Sequence, residues 1–104
     1  MVQWEVYEKM NKETIVCCDI DGTLIQYNSK GKDVPRYEVI SLLKMFSDSF
    51  NCKVYLWSGG GCSYAESWAE KLGLEFKVIE KGSIVPDIAV DDEDVELGKV
   101  NIKI

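Results

Sequence analysis

Two aspartates stand one residue apart directly after an apolar stretch, in the run Ile15–Leu24, written IVCCDIDGTL. Alternate residues of a strand point to opposite faces, so a purely structural pair of aspartates gains little from this spacing. Like charges at the end of a buried strand also repel each other and are costly to desolvate. We therefore expect Asp19 and Asp21 to be compensated by other groups and to do chemistry.

Three further groups suit the same chemistry. Ser58 opens the glycine run SGGG, Lys81 lies in the run KGS, and Asp91 is followed by Asp92. Carboxylates can hold Mg2+, and a metal with a lysine neutralises a phosphate so that an anionic nucleophile can approach it. One carboxylate can then attack phosphorus, while another protonates the leaving oxygen and activates water. Glycines let backbone N–H groups approach phosphate oxygens. This set of residues favours phosphoryl transfer.

Alternating strands and helices must position these groups, as the apolar runs and the helical spacing of apolar residues predict. The predicted strands are Thr14–Cys18, Lys53–Trp57, Leu74–Ile79, Asp87–Val90 and an edge strand Val100–Ile104. Apolar residues at helical spacing predict two helices, the first with Val39, Ile40, Leu43, Phe46 and Phe50 and the second with Ala65, Trp68, Ala69 and Leu72. Such a pattern predicts a mainly parallel α/β sheet with helices on both faces, which binds ligands at the carboxyl ends of its strands. Asp19, Ser58, Lys81 and Asp91 should therefore meet at one edge of the sheet.

Turn and cap signals predict where these elements begin and end. The segment YNSKGKD (27–33) predicts a short hairpin or flap, and Pro35 lies near the start of the first helix. The second helix is predicted to begin with a capping box at Ser63–Glu66 and to end at Gly73. One or two helical turns are predicted over Asp92–Leu97, closed by Gly98. The first twelve residues fit both a strand and a helix pattern, so they are left open. Tyr64, Trp57 and Trp68 are most simply core or shelf residues.

Composition limits the classes of function. The chain has 104 residues, which predicts a single domain spanning 1–104, and a net charge of -6 without a basic run, which argues against general nucleic-acid binding. No run reaches membrane length, and the charged N-terminus does not resemble a signal peptide. The four cysteines form no CxxC pair and there is no histidine, so we expect no zinc site but small core residues of a cytoplasmic protein.

The ordered motifs resemble those of the haloacid dehalogenase-like (HAD) superfamily. Four motifs occur in order over Thr14–Asp94. They are D-x-D-G-T-L after an apolar strand, a hydroxyl residue that ends the second strand, a later lysine, and an apolar run that ends in Asp-Asp. The resemblance implies a three-layer Rossmann-like fold of about five strands and a Mg2+-dependent phosphatase that acts through an aspartyl-phosphate. Only residues 24–57 lie between Thr23 and Ser58, and a helix takes about half of them, so we expect a capless member.

The same resemblance implies a role for each motif residue. Asp19 would be the nucleophile and a Mg2+ ligand, and Asp21 the general acid/base, with its backbone carbonyl on the metal. Phosphate contacts would come from Thr23 (which could instead position a neighbour), Ser58, Gly59 and Lys81. Asp92 would be the direct metal ligand of the final pair, with Asp91 in support, although the order of these two stays open. Lys77 competes with Lys81, but it lies inside the run LEFKVI, so we favour Lys81.

Two other classes of function remain as alternatives. One is a HAD-like module that binds phosphate or a partner without turnover. The other is a phosphoacceptor domain resembling a response-regulator receiver, although there the acidic pair precedes the acceptor aspartate. The substrate is not encoded, so a small phosphorylated molecule and a macromolecular phosphate end are both open. An open site gains selectivity from a large substrate or from a homo-oligomer whose neighbouring subunit covers it.

Overall fold

The structure is a computed structural model that describes residues 14–104, so the open question of the first twelve residues lies outside the described part. Within these residues, seven strands and two helices follow one another. They are β1 (Ile15–Asp19), β2 (Ile25–Tyr27), β3 (Asp33–Pro35), α1 (Tyr37–Asp48), β4 (Lys53–Trp57), α2 (Cys62–Lys71), β5 (Lys77–Val78), β6 (Ile88–Asp91) and β7 (Val100–Lys103).

Five of the strands form one sheet in the order β5-β4-β1-β6-β7, and every pairing in it is parallel. β1 lies at the centre, where Val16 pairs with Val54 on one side and with Ile88 on the other. The chain is thus an α/β protein compatible with a Rossmann-like fold, as the apolar runs predict. The strand over Val100–Lys103 occupies an edge, which confirms its predicted place.

The polar excursion after β1 is a hairpin. β2 and β3 pair antiparallel, with Tyr27 opposite Asp33. At the tip, the side-chain oxygen of Asn28 accepts bonds from the N–H groups of Lys30 and Lys32, so the turn is closed by its own polar residue. The hairpin predicted at 27–33 is confirmed, and Pro35 ends β3 two residues before α1 begins.

Both helices pack into the same core. Val39, Ile40 and Leu43 of α1 and Ala65 and Ala69 of α2 belong to one buried cluster with alternate residues of the central strands. The chain moves in one direction across the sheet from β1 to β4 to β5, and right-handed crossovers in one direction place their helices on one face. Within residues 14–104, helices therefore cover a single face of the sheet, and the second helical layer expected from the sequence is not among them.

The cysteines divide into two groups. Cys17 and Cys18 are fully buried in β1, whereas Cys52 and Cys62 are half-buried, and all four are free thiols. Burial raises the pKa of the Cys17 thiol to about 12, so this group is an inert thiol. The core role expected for the cysteines thus holds fully for the two in β1.

The second helix does not begin with the predicted capping box. Its N-cap is Gly61, at φ 100° and ψ 168°, and no side chain caps the helix. Ser63 and Glu66 therefore lie inside the helix, because the glycine loop itself turns the chain into it. The stop at Gly73 is confirmed: its φ is 66°, and its N–H bonds to the carbonyl of Glu70.

Three other segments differ from the sequence-based expectation. The third strand is shortened to two residues, Lys77 and Val78. Phe50 lies beyond the end of α1 and is 51% exposed, so it does not extend the apolar stripe. The predicted helical turns over 92–97 do not form.

The absence of those turns has a local cause. The N–H of Glu93 bonds to Asp91 Oδ1, and the N–H groups of Leu97 and Gly98 both bond to Asn101 Oδ1. The Asn101 side chain thus takes the donors of Leu97 and Gly98 that helical turns would use, whereas the bond of Glu93 to Asp91 is compatible with a helix start. Gly98 is needed for another reason, since a Cβ there would stand 2.9 Å from the backbone nitrogen of Ala89.

In the part of the chain that the structure describes, no helix combines the length and the apolar character that crossing a membrane requires.

Candidate functional site

The polar residues that end the strands converge at one edge of the sheet. Asp19 and Asp91 are the last residues of the neighbouring parallel strands β1 and β6. Ser58 follows β4 directly, and Lys81 comes three residues after β5. Three of the four are buried, with exposed fractions of 6% for Asp19, 4% for Asp91 and 6% for Ser58. The parallel topology thus brings together groups that lie far apart in sequence.

A cluster of three carboxylates forms the centre of this site. Asp19, Asp91 and Asp92 each offer an oxygen, and these oxygens all lie within 4.8 Å of one another. Asp92 is half-buried, so the cluster opens toward solvent on its side. Such a set of hard oxygen donors could hold a metal ion. Asp21 is not part of the cluster and has an exposed side chain.

Lys81 bridges two of these carboxylates. Its Nζ lies 3.0 Å from Asp19 Oδ1 and 3.0 Å from Asp91 Oδ2. Burial lowers the pKa of Lys81, but the bonds to Asp19 and Asp91 outweigh this effect and leave it raised, so the ammonium stays charged. The competing Lys77 lies on β5 with an exposed side chain, and the structure places Lys81 at the site instead.

The charges of this group are unbalanced. Three carboxylates and one ammonium sum to -2 when all are ionised, which is the charge that one divalent cation neutralises. The pKa of the Asp19 carboxyl is raised from 3.8 to about 6, chiefly by burial. The negative charge of Asp91 contributes to this rise, and Lys81 opposes it. A bound cation would favour the ionised form of Asp19.

The turn after β1 places its residues directly against Asp92. Gly22 has a φ of 78°, and a Cβ there would stand 2.7 Å from Asp92 Cγ, so only glycine fits. Thr23 is fully buried, and its hydroxyl donates to Asp92 Oδ1 at 3.0 Å. Asp19 Oδ2 lies farther away, at 3.5 Å, and one hydroxyl proton serves one acceptor at a time. Thr23 is therefore placed to orient Asp92.

The glycine loop holds Ser58 by a backbone contact. The N–H of Gly60 donates to Ser58 Oγ at 3.0 Å, and the N–H of Gly61 donates to the Ser58 carbonyl at 3.1 Å. The first of these bonds uses the Ser58 oxygen as acceptor and leaves its hydroxyl proton for a ligand. Gly59 is exposed, with open space where a Cβ would be.

A tyrosine that the sequence pattern left as a core or shelf residue contacts the site. The Tyr64 hydroxyl donates to Asp21 Oδ1 at 2.5 Å, and this bond raises the pKa of Tyr64. A Cβ on Gly60 would stand 3.2 Å from the Tyr64 ring, so the glycine loop also makes room for this side chain. The sequence signal that could have identified Tyr64 as a site residue is its position in the first turn of the helix that follows the glycine loop.

Comparison of the chain with family models, with curated proteins and with solved structures finds no match. The HAD resemblance therefore rests on the motif residues and on where the fold places them.

Proposed function

We propose that this chain is a Mg2+-dependent phosphohydrolase of HAD type that forms an aspartyl-phosphate on Asp19. One observation supports this most strongly. Asp19 lies in a site with both partners that a carboxylate nucleophile needs, a lysine 3.0 Å away and a pair of carboxylates that can share a cation with it. Ion pairs that serve only the structure rarely leave a net negative charge at a strand end, as this group of three carboxylates and one lysine does.

The donor set fits Mg2+ better than a softer metal. All three ligand candidates are carboxylates, and no cysteine or histidine belongs to the cluster of described residues. Asp19 and Asp92 would hold the ion directly, and Asp91 would support the site, since its oxygens already accept bonds from Lys81 and from the N–H of Glu93. The resemblance adds the backbone carbonyl of Asp21. The bound ion would supply neutralisation of the phosphoryl charge.

In the first half of the proposed reaction the two aspartates have different tasks. A carboxylate oxygen of Asp19 forms a bond to phosphorus while the bond from phosphorus to the ester oxygen breaks. Asp21 gives its proton to that departing oxygen. Lys81, the Ser58 hydroxyl and the backbone N–H groups beginning at Gly59 hold the phosphoryl oxygens, whose charge grows in the transition state.

The second half regenerates the enzyme. Asp21, now ionised, takes a proton from water as the water oxygen attacks phosphorus, and the bond from phosphorus to the Asp19 oxygen breaks. Inorganic phosphate leaves, and Asp21 again carries a proton. Tyr64 occupies Oδ1 of Asp21 and leaves Oδ2 for these proton transfers, so it acts as a positioning residue.

The remaining features of the proposal concern architecture and setting. Between β1 and α1 the chain forms only the β2–β3 hairpin, which supports a capless enzyme with an open site. The substrate would be a phosphate monoester that is small or carried by a macromolecule, and a cytoplasmic setting suits the free thiols. A homo-oligomer whose neighbouring subunit covers the site remains part of the proposal.

Asp19→Asn tests the proposal directly. We expect the variant to fold and to release no phosphate from aryl phosphates in the presence of Mg2+, because an amide does not attack phosphorus. Asp48→Asn, which removes an exposed carboxylate at the end of α1, serves as the matched control and should keep the parental rate. Rapid quenching should also trap a labile phosphoryl group on the parent protein.

Two results would contradict the proposal. Phosphate release by Asp19→Asn at a rate near that of the parent would exclude the covalent route. A phosphoryl group that persists on Asp19 for hours in the parent would instead point to a phosphoacceptor domain.

A further inference from the structure

A cleft adjoins the site on the side of the hairpin. It has a volume of about 410 Å3, and we define the hairpin cleft by Asp21, Ile25, Gln26, Tyr27, Asp33 and Tyr64. Residues of both hairpin strands form one side of it, and the first turn of α2 contributes Tyr64. Asp21 belongs both to this cleft and to the proposed proton transfer.

The proposed function decides what must occupy this cleft. Asp21 can protonate a departing oxygen only if that oxygen lies within hydrogen-bond distance of its carboxyl. Gly22 also lines the cleft and stands against Asp92, whose carboxylate a Cβ at Gly22 would meet, so the Asp19 cluster adjoins the cleft at this glycine. The phosphoryl group therefore faces the cluster, and the leaving group extends past Asp21 into the hairpin cleft.

The lining of the hairpin cleft has a definite charge and shape. It contains two acidic residues, Asp21 and Asp33, and no lysine or arginine lines it among the described residues. The charge of Asp33 reaches Tyr64, whose pKa it helps to raise. Tyr27 is 76% exposed and Tyr64 is half-buried, so two aromatic rings are available to a ligand. Flat rings stack on tyrosine, and cations are attracted to both the rings and the carboxylates.

We propose that the hairpin cleft selects phosphate monoesters whose leaving group is an aromatic ring without negative charge, and that it favours a ring that carries a cationic substituent. This inference rests on the proposed phosphatase function and names its substrate class. Leaving groups that carry further phosphates or carboxylates are disfavoured, because Asp33 repels them without a compensating cation in the lining, while Asp21 holds the proton that it later gives to the departing oxygen.

A series of three esters tests the charge preference: 4-(aminomethyl)phenyl phosphate, 4-methylphenyl phosphate and 4-(carboxymethyl)phenyl phosphate. A methylene separates each charge from the ring, so the three phenols have similar acidities. We expect kcat/KM to fall in the order cationic, neutral, anionic, with a ratio of about ten between the extremes for charges near a protein surface. A ratio near one, or the reverse order, would overturn the inference.

Two variants assign the preference to the cleft. Asp33→Asn should lower the ratio of the cationic to the anionic ester about threefold, because it removes the charge that repels the anionic leaving group. Asp48→Asn removes the same charge at the far end of α1, and it should leave that ratio as in the parent. Tyr27→Ala should lower kcat/KM for all three aryl esters about fivefold, since it removes one stacking ring. An equal change of the ratio in Asp33→Asn and Asp48→Asn would show an effect of net charge alone and would refute the cleft as its source.

Binding of the product separates this inference from the proposed function. In NMR titrations, 4-(aminomethyl)phenol should shift the resonances of Tyr27, Asp33 and Tyr64 in the parent protein, whereas 4-(carboxymethyl)phenol should not. If these shifts appear while no ester is hydrolysed, the ligand class of the cleft stands and the proposed phosphatase function fails. If the esters are hydrolysed without charge preference and the shifts are absent, the function stands and the cleft inference fails.

Discussion

Replacing Asp19 by asparagine should stabilise the metal-free protein at neutral pH, although it removes the proposed nucleophile. Burial, aided by the charge of Asp91, raises the pKa of Asp19 to about 6, against 3.8 in an unfolded chain. The folded protein therefore binds this proton more tightly than the unfolded chain does. The contribution to the free energy of unfolding is full below pH 3.8 and is lost as the pH rises through about 6.

The size of the effect follows from that difference. The step from 3.8 to about 6 corresponds to roughly 3 kcal/mol of stability that Asp19 gives up when it ionises in the fold. This figure already includes the contact with Lys81, which lowers the pKa of Asp19. Because asparagine avoids the whole cost, the gain at pH 7.5 should be about 2 to 3 kcal/mol, which raises Tm by about 10 to 20 °C in a domain of this size.

Thermal unfolding in EDTA at pH 7.5 and at pH 4.0 measures the gain. We expect the difference in Tm between Asp19→Asn and the parent to shrink strongly at pH 4.0, where the parental carboxyl is protonated. Glu75→Gln, which neutralises an exposed carboxylate, should show no such dependence. Added Mg2+ should raise the Tm of the parent more than that of Asp19→Asn, because the variant lacks one ligand.

The reasoning fails under either of two outcomes. A variant less stable than the parent at pH 7.5 would mean that the Lys81 contact outweighs the burial of the charge. A gain of equal size at both pH values would mean that ionisation of Asp19 is not its cause.

The other predictions concern the metal, the proton and the hairpin. EDTA should abolish activity, Mg2+ should restore it and Ca2+ should inhibit it. In a titration of activity with Mg2+, Asp92→Ala should weaken Mg2+ affinity at least tenfold, which is more than Asp91→Ala should. An unchanged titration in Asp92→Ala would refute the assignment of Asp92 as a direct metal ligand. Tyr64→Phe should lower kcat roughly three- to tenfold with little change in KM, because Asp21 loses the hydrogen bond that holds its carboxyl in position. An unchanged kcat would refute the positioning role of Tyr64. Deleting Ser29–Lys32 should change the preference among aryl esters more than the hydrolysis of methyl phosphate, and equal effects on both would contradict a role of the hairpin in binding the leaving group.

The main architecture could be predicted from the sequence because hydrophobic patterning is local. β1 is apolar up to its last residue, Asp19, and β4 is apolar after Lys53 and is followed directly by Ser58. Parallel strands place such ends at one edge, so the convergence of Asp19, Ser58 and Asp91 follows from the pattern. The hairpin was predictable for the same reason, since its turn residues act on their own neighbours.

Other local signals were misleading because neighbouring residues offered the backbone an alternative. The stretch 92–97 has no helical turn, since the side chain of Asn101 takes the N–H groups of Leu97 and Gly98. The capping box at Ser63–Glu66 was not used, since Gly61 already directs the chain into α2. A residue pattern shows which bonds a segment can form, but it does not show which of several nearby partners forms them.

Some features of the site could likewise be predicted from the sequence, and others could not. The identity and order of the motif residues, including the aspartate pair at 19 and 21, were present in the sequence alone. The sequence also favoured Lys81 over Lys77, and Lys81 lies 3.0 Å from Asp19. Only the tertiary structure placed Tyr64 on Asp21 and packed Gly22 against Asp92. The reason is physical: residue types and strand periodicity are local properties, whereas a contact across many residues depends on how loops without periodicity pack.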